Sequence, residues 1–242
     1  MPKELKGKFR VEVSPNVGPF EVKTQEQWYA LTDFEALRRP PHAIRVPYRA
    51  AAPGLDGDLS EWRDVPFVPL PLEGGRPSSF RLCWREEGLY GAASVRDATP
   101  TAFPDDPLRR DSVHVYIEKD NAFSLGLTSE TLHIAMMPAQ GLRPGECSLS
   151  GFHAGEDVPL PEDAKARRAL IQTYWKPTDE GYVIEFLITA KALRPAAMEP
   201  GTTLGLMLVL SDDGRVLEYF RSQENPSDWR RPYCWGVVRL ER

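Results

Sequence analysis

Ten short runs in which apolar and polar residues alternate occupy most of the chain after residue 42. Each run is rich in Val, Ile, Tyr, Phe and Trp and is bounded by Gly, Pro, Asp or Asn. The runs are 43–50, 78–86, 88–97, 112–120, 131–138, 169–177, 181–189, 203–212, 216–223 and 234–240. A period of two residues is typical of strands, and many short strands separated by turn residues predict an all-β sandwich or barrel.

Other segments predict the remaining elements. The turn "REEG" at 85–88 predicts a tight hairpin between two of the runs. A short helix is expected at 189–195, ended by Pro195, and the polar segment 155–169 predicts a long loop with at most one helical turn. Residues 1–42 contain two strand-like runs and a helical pattern, and we interpret them as an N-terminal extension packed on a main domain at 43–242.

Composition narrows the classes of partner. The 23 prolines among 242 residues are nearly twice the usual share of about 5%, which favours many short elements joined by loops. A net charge of −5 gives no basic face for nucleic acid. No apolar run reaches the roughly 18 residues of a membrane span, and the first residues lack the apolar core of a secretory signal. We therefore expect a cytoplasmic protein or a mature exported fragment, of unknown oligomeric state.

The stretch "LDGDLSEWRDVP" at 55–66 places four acidic residues around Trp62. A calcium loop counted from Asp56 would need Gly at its sixth position and Glu at its twelfth, where this chain has Glu61 and Phe67. A turn that leads into a short helical start, with Asp58 or Ser60 as its cap and Trp62 buried, explains the residues better.

The three cysteines predict no obligatory disulfide. They are odd in number and have no close spacing. Cys83 and Cys234 lie within strand-like runs, where buried thiols are expected.

No catalytic sequence motif is found, and we do not expect an enzyme. Two of the four histidines, His114 and His133, lie in predicted strands. If these strands pair, the two rings can meet on one face of a sheet. Such a pair is either structural or a site for a metal or haem, in which case Met136 or Met137 is a candidate second axial ligand.

Six further stretches stand in a fixed order: "LDGDLSEW", "FRLCWREEGLYGAASVRD", "DSVHVYIE", "GYVIEFLITAKAL", "GTTLGLMLVLSDD" and "DWRRPYCWGVVRL". Together they resemble the family 9 carbohydrate-binding modules. The resemblance covers residues 43–242 and implies a β-sandwich of the immunoglobulin-like or jelly-roll type. It also implies a non-catalytic module, often associated with hydrolases, that binds a saccharide between two tryptophan faces. Family members hold structural calcium. We expect no cofactor, and the resemblance leaves a structural calcium ion as the alternative.

Carried over by position, the family's site is only partly present. Trp229 matches one clamping tryptophan, but Leu108 stands where the other is expected, and Phe103 is a substitute. His114 and His133 replace the family's glutamate and arginine. The residues expected to bind a saccharide or polyol are Trp229, Asp111, His114, His133, Phe103 and Arg230. Two alternatives stay open: a b-type haem domain for electron transfer, and a scaffold domain that has lost its sugar site.

Overall fold

The computed structural model is a two-layered β-sandwich, as the sequence predicts. It describes residues 43–70, 78–97, 99–100, 111–124, 126–139, 143–154, 158–212, 215–219, 230–232 and 235–242. The chain divides after Arg39, and all described residues belong to the second of the two units. The predicted packing of residues 1–42 on the main domain lies outside the described residues and stays a prediction.

The described strands are numbered in chain order. They are β1 (Ala43–Pro47), β2 (Phe67–Leu70), β3 (Ser78–Arg85), β4 (Gly88–Arg96), β5 (Ser112–Glu118), β6 (Thr131–Met137), β7 (Ser148–His153), β8 (Ile171–Thr178), β9 (Gly181–Thr189), β10 (Thr203–Asp212), β11 (Arg215–Tyr219) and β12 (Gly236–Glu241). A 3-10 helix spans Leu59–Trp62, and a one-turn helix, α1, spans Ala164–Arg168. None of the helices in these described ranges is long and apolar enough to cross a membrane.

The strands form two sheets. One has five antiparallel strands in the order β2-β3-β4-β9-β8. The other has seven strands, with the path β1-β12-β10-β5-β6-β7 and β11 paired to β10. Within it, β1 runs parallel to β12, whereas the other pairs are antiparallel.

The main core lies between the two sheets. On β5 it takes Val113, Val115 and Ile117, and on β9 it takes Ile184, Phe186 and Ile188. Alternate residues of the same strands therefore point away from the core, as the period of two requires. They are buried nevertheless: all seven residues of β5 and the first eight of β9 are buried. The two sheets are thus covered on their outer faces as well at these central strands.

The stretch 55–66 covers the outer face of the five-stranded sheet, and the prediction that it is structural is confirmed. Trp62 is fully buried in a second apolar cluster with Val65, Cys83, Tyr90, Ala92 and Leu187. Its acidic groups accept hydrogen bonds from nearby amides: Asp58 from Ser60 N at 2.8 Å, and Glu61 from Gly54 N at 2.5 Å. Asp58 is the N-cap of the 3-10 helix, as expected.

A buried carboxylate, that of Glu185 on β9, anchors this stretch. It accepts hydrogen bonds from Asp56 N at 2.9 Å, Gly57 N at 2.6 Å and Trp62 Nε1 at 2.8 Å. Gly57 has a φ of 77°, a conformation that glycine adopts without strain. Burial raises the pKa of Glu185, and the donated hydrogen bonds oppose that rise. One side chain thus ties the loop to the sheet that the loop covers.

One prediction about local structure is wrong, two strands are additional to the predicted runs, and one predicted hairpin is confirmed. The segment 189–195 makes a single turn, with the N–H groups of Ala192 and Leu193 bonded to Thr189 O, and not a helix. Pro195 explains this, because it has no N–H to donate and disfavours the helical conformation of the residue before it. Strands β2 and β7 were not predicted. The hairpin at 85–88 is confirmed, with Glu86 and Glu87 between β3 and β4.

Two of the three cysteines are described, and both are free, buried thiols. Burial raises the pKa of Cys83 and of Cys147 to about 12 in each case. The prediction of no disulfide is confirmed for these two residues, and Cys234 lies outside the described residues.

Glu185→Gln should lower the free energy of unfolding by about 1–3 kcal/mol. The amide NH₂ of Gln cannot accept a bond, so at least one buried donor among the three loses its partner. Urea denaturation measures the change, and Glu199→Gln, the same substitution at an exposed position, is the control. Equal losses in the two variants would contradict the anchoring role.

Candidate functional site

The outer face of the seven-stranded sheet carries polar and aromatic side chains that the core does not use. On β5 this face presents Ser112, His114 and Tyr116, since their neighbours Val113 and Val115 point into the core. His114 and Tyr116 are 0% and 2% exposed. Tyr116 belongs to an apolar cluster separate from the main core, with Met207, Val209 and Trp235.

The two strand histidines meet on this face, as the sequence predicted. Antiparallel pairing of β5 with β6 sets His133 opposite Tyr116, two pairs along the ladder from His114 and so on the same face. His114 Nδ1 lies 3.1 Å from His133 Nε2, and Ser112 Oγ lies 2.8 Å from His114 Nε2. A neutral imidazole has one donor and one acceptor nitrogen, so both rings satisfy this chain without a charge.

Aromatic rings line both sides of the histidine pair. Tyr116 stacks on His133 with ring centroids 4.1 Å apart and planes 10° apart. Phe152 on β7 packs against the other side of His133 at 5.2 Å, and Trp235 packs against Tyr116 at 5.7 Å. The result is a row of four rings across the sheet, which we call the aromatic row: Trp235, Tyr116, His133 and Phe152.

Burial keeps His133 neutral. Desolvation, with a smaller contribution from His114, lowers the pKa of His133 from 6.5 to about 3. A histidine with an ordinary pKa would make binding change between about pH 5 and 8. His133 carries no charge in this range, because its half-buried ring is largely desolvated.

Asp111 lies with two other aspartates. It precedes β5 at the position that points toward the core side, and it is 1% exposed. Its carboxylate lies with those of Asp97 and Asp212, within 4.8 Å of one another. The structure thus brings His114 and His133 together but sets Asp111 at the end of the sandwich.

Of the other predicted site residues, the structure describes Arg230 alone. Arg230 is exposed. Trp229, Phe103 and Leu108 lie outside the described residues, so the two-faced clamp stays a prediction.

One of the two methionines considered as axial haem ligands lies away from the histidines. Met136 points into the main core, on the opposite face of β6 from His133. Met137 lies on the histidine face and is 8% exposed.

Sequence reasoning missed most of the aromatic row. Tyr116 lies two residues after His114, so the alternation of β5 already placed them on one face. Trp235 is buried, as expected, but it packs on the outer face of the sheet and not in the main core. Phe152 could not be found, because β7 was not predicted.

Comparisons of the sequence and of the structure with known proteins identify the same family. The model of the family described as "Carbohydrate family 9 binding domain-like" matches residues 73–242. An endo-1,4-beta-xylanase A of Thermotoga neapolitana is 25% identical in an alignment of 199 residues that covers 78% of this chain and 17% of that protein. The chain therefore spans less than a fifth of this curated relative.

Solved structures support the fold. A family 9 carbohydrate-binding module from Caldicellulosiruptor kristjanssonii in complex with glucose aligns with a TM-score of 0.62 at 18% identity, covering 83% of this chain and 96% of that one. The same organism's module in complex with cellotriose gives a TM-score of 0.62 at 19% identity, with 83% and 94% covered. At this identity the likeness shows the fold alone. Because the family model matches well over half of the sequence, the chain belongs to the carbohydrate family 9 binding domain-like proteins.

Proposed function

We propose that this protein is a non-catalytic carbohydrate-binding module, which binds a neutral saccharide or polyol at the outer face of the seven-stranded sheet. The observation that carries the proposal is the hydrogen-bonded pair of His114 and His133 within the aromatic row. The pair occupies the positions where the family resemblance places polar site residues. The solved relatives in complex with glucose and cellotriose support the ligand class.

The chemistry of this face suits a sugar. A pyranose ring has weakly apolar C–H faces and a rim of hydroxyl groups that both donate and accept. Aromatic rings pack against such faces, and neutral imidazoles donate and accept in the same way as hydroxyls. Because His133 stays neutral, it offers no charge to a carboxylate, and a neutral sugar suits it better than an acidic one.

Trp229 is the proposed main platform, with Phe103 as the opposing face and Arg230 at the polar rim. Trp229 is the one clamp residue kept at the family position, and its surrounding sequence, "ENPSDWRRP", is polar. Asp111 is left out of the rim, because its carboxylate lies with Asp97 and Asp212 on the core side of β5.

An enzymatic role is not supported by the likeness to a xylanase. The matched region is 17% of that protein, so the likeness does not reach most of it. A scaffold domain with a lost sugar site is the alternative that a binding experiment separates from our proposal.

Trp229→Ala should weaken binding of a neutral glycan roughly tenfold to a hundredfold. Removing one stacking aromatic costs on the order of 1–3 kcal/mol. A glycan array selects the ligand, and calorimetric titration of the wild type and the variant measures the affinity. Phe67→Ala is the control, because Phe67 is an aromatic residue of β2 in the other sheet and 58% exposed.

Two results would contradict this proposal. Equal affinities of Trp229→Ala and the wild type would show that the ligand binds elsewhere. An absence of binding by the wild type to any glycan would favour the scaffold alternative.

A neutral, half-buried His133 should make the protein less stable in acid. The unfolded chain binds a proton to this residue near pH 6.5, and the folded protein only near pH 3. Stability is therefore unaffected by His133 above pH 6.5 and falls as the pH drops from 6.5 toward 3, by at most about 1.4 kcal/mol per pH unit.

His133→Gln should remove this contribution, so the difference in unfolding free energy between wild type and variant should shrink or change sign between pH 7.5 and 4.5. Urea denaturation at both pH values measures it, and His153→Gln controls for the loss of an imidazole. A difference that stays constant with pH would show that His133 titrates alike in the folded and unfolded chains.

A further inference from the structure

The stretch 55–66 covers part of the outer face of the five-stranded sheet, where it packs over Cys83. Ser79 and Arg81 of β3 lie further along the same face, and both stay partly exposed. They point away from the core because Phe80, the residue between them, points into it. Beyond the covered part, this face therefore presents polar side chains to solvent.

The neighbouring strands complete a small patch around Arg81. Phe67 on β2 is paired directly with Arg81, and Ser94 on β4 is paired directly with Ser79. Directly paired residues share a face of the sheet. The Phe67 ring is more than half exposed, so most of it is open to a ligand. We call the four residues Phe67, Ser79, Arg81 and Ser94 the arginine patch.

The guanidinium of Arg81 has no carboxylate partner among the described residues. Nη1 donates to Ser79 Oγ at 3.2 Å, the group lies 5.4 Å from the centre of the Phe67 ring, and Nε is buried without a hydrogen-bond partner. Burial lowers the pKa of Arg81, and no carboxylate raises it in return. A cation that has lost part of its water without gaining a counter-charge is unfavourable, and such groups indicate binding sites.

Two other arginines of the described ranges show the usual arrangement. Arg85 Nε lies 2.5 Å from Glu87 Oε1, and Arg168 Nε lies 2.6 Å from Glu146 Oε1. In both cases the hydrogen bond with the carboxylate raises the pKa of the arginine. Arg81 differs from them in the sign of its pKa shift, because its guanidinium is desolvated and lacks that bond.

One carboxylate stands in the same row of the sheet as Arg81, and it is already occupied. The row runs from Arg81 across Ala92 to Glu185. Two strand spacings separate the ends of this row by about 10 Å. Both oxygens of Glu185 accept hydrogen bonds from the stretch 55–66. Glu185 is therefore not the counter-charge of Arg81.

The arginine patch combines the groups that an acidic sugar requires. A guanidinium presents paired N–H groups that match the two oxygens of a carboxylate. An exposed aromatic ring packs against the weakly apolar C–H face of a pyranose. Serine hydroxyls donate and accept, as sugar hydroxyls do. A neutral sugar would leave the cation unpaired, and a small carboxylate without a ring would leave Phe67 unused.

We propose that the arginine patch is a second saccharide site, which binds the carboxylate of a uronic acid residue at Arg81 and packs its ring on Phe67. The inference takes the saccharide class from the proposed function. The site itself lies on the other sheet and needs neither Trp229 nor the histidine pair.

Sodium glucuronate should bind the wild-type protein with a Kd on the order of 1 mM, as expected for a ligand of this size. Titration followed by NMR, with the amide signals of Phe67, Ser79 and Ser94 as reporters, measures it. Glucose and acetate should shift these signals with at least tenfold weaker affinity, because each lacks one half of the ligand.

Arg81→Met should weaken glucuronate binding at least tenfold, because it removes the charge and keeps the apolar stem. Arg239→Met, which removes an exposed arginine from β12 of the other sheet, is the matched control and should bind like the wild type. Differential scanning calorimetry should find Arg81→Met within about 5 °C of the wild type, because the charge it removes is unpaired. A larger fall would assign Arg81 to the fold and contradict the proposal.

Two further variants separate this site from the proposed neutral-sugar site. Trp229→Ala should keep the wild-type affinity for glucuronate, whereas Phe67→Ala should lose roughly tenfold and keep its binding of a neutral glycan. If the proposed function fails and this inference holds, glucuronate still binds while no neutral glycan does.

Four results would overturn the inference. The first is no shift of the reporter signals in the wild type at tens of millimolar glucuronate. The second is an unchanged affinity of Arg81→Met, or an equal loss in Arg239→Met. The third is acetate that binds as tightly as glucuronate. The fourth is glucuronate binding that Trp229→Ala abolishes and Arg81→Met retains, which would place the acidic sugar at the other sheet.

Discussion

Burial of β5 on both faces is the constraint on which the rest of the site depends. The strand alternates between apolar and polar residues, as a strand with one solvent-exposed face would, yet every one of its side chains is buried. Its apolar half fills the space between the sheets. The polar half must find partners away from water, because an unpaired buried polar group costs about 1–3 kcal/mol. The chain from Ser112 to His114 to His133 meets that requirement.

Much of the scaffold could be predicted from alternation alone. The bounds of β9 and β10 are those of the predicted runs, and the meeting of His114 with His133 followed from the pairing of two strands. Strands β2 and β7 could not be predicted: β2 has only four residues and contains Pro69, and β7 is interrupted by Gly151 with a φ of 131°. Propensity and pattern are both weak in such segments.

The site was harder to predict than the fold, for two physical reasons. Spacing along one strand shows which residues share a face, so the alternation of β5 is enough to place Tyr116 beside His114. Spacing does not show which strand ends meet, and so Asp97 and Asp212 gave no signal as neighbours of Asp111. The pKa of His133 depends on burial from several strands, which no local pattern reveals. Trp62 and Glu185 match the family pattern, and their role is structural. The hydrogen bond between them holds the stretch 55–66 on the five-stranded sheet.

The two buried thiols bear on where this fold can exist. A thiol attacks a disulfide or an oxidant as its thiolate, and at a pKa of about 12 almost none of Cys83 or Cys147 is in that form near neutral pH. Neither residue contributes a crosslink that reducing surroundings could break. As far as these two cysteines determine it, the sandwich should keep the same covalent structure in oxidising and in reducing compartments.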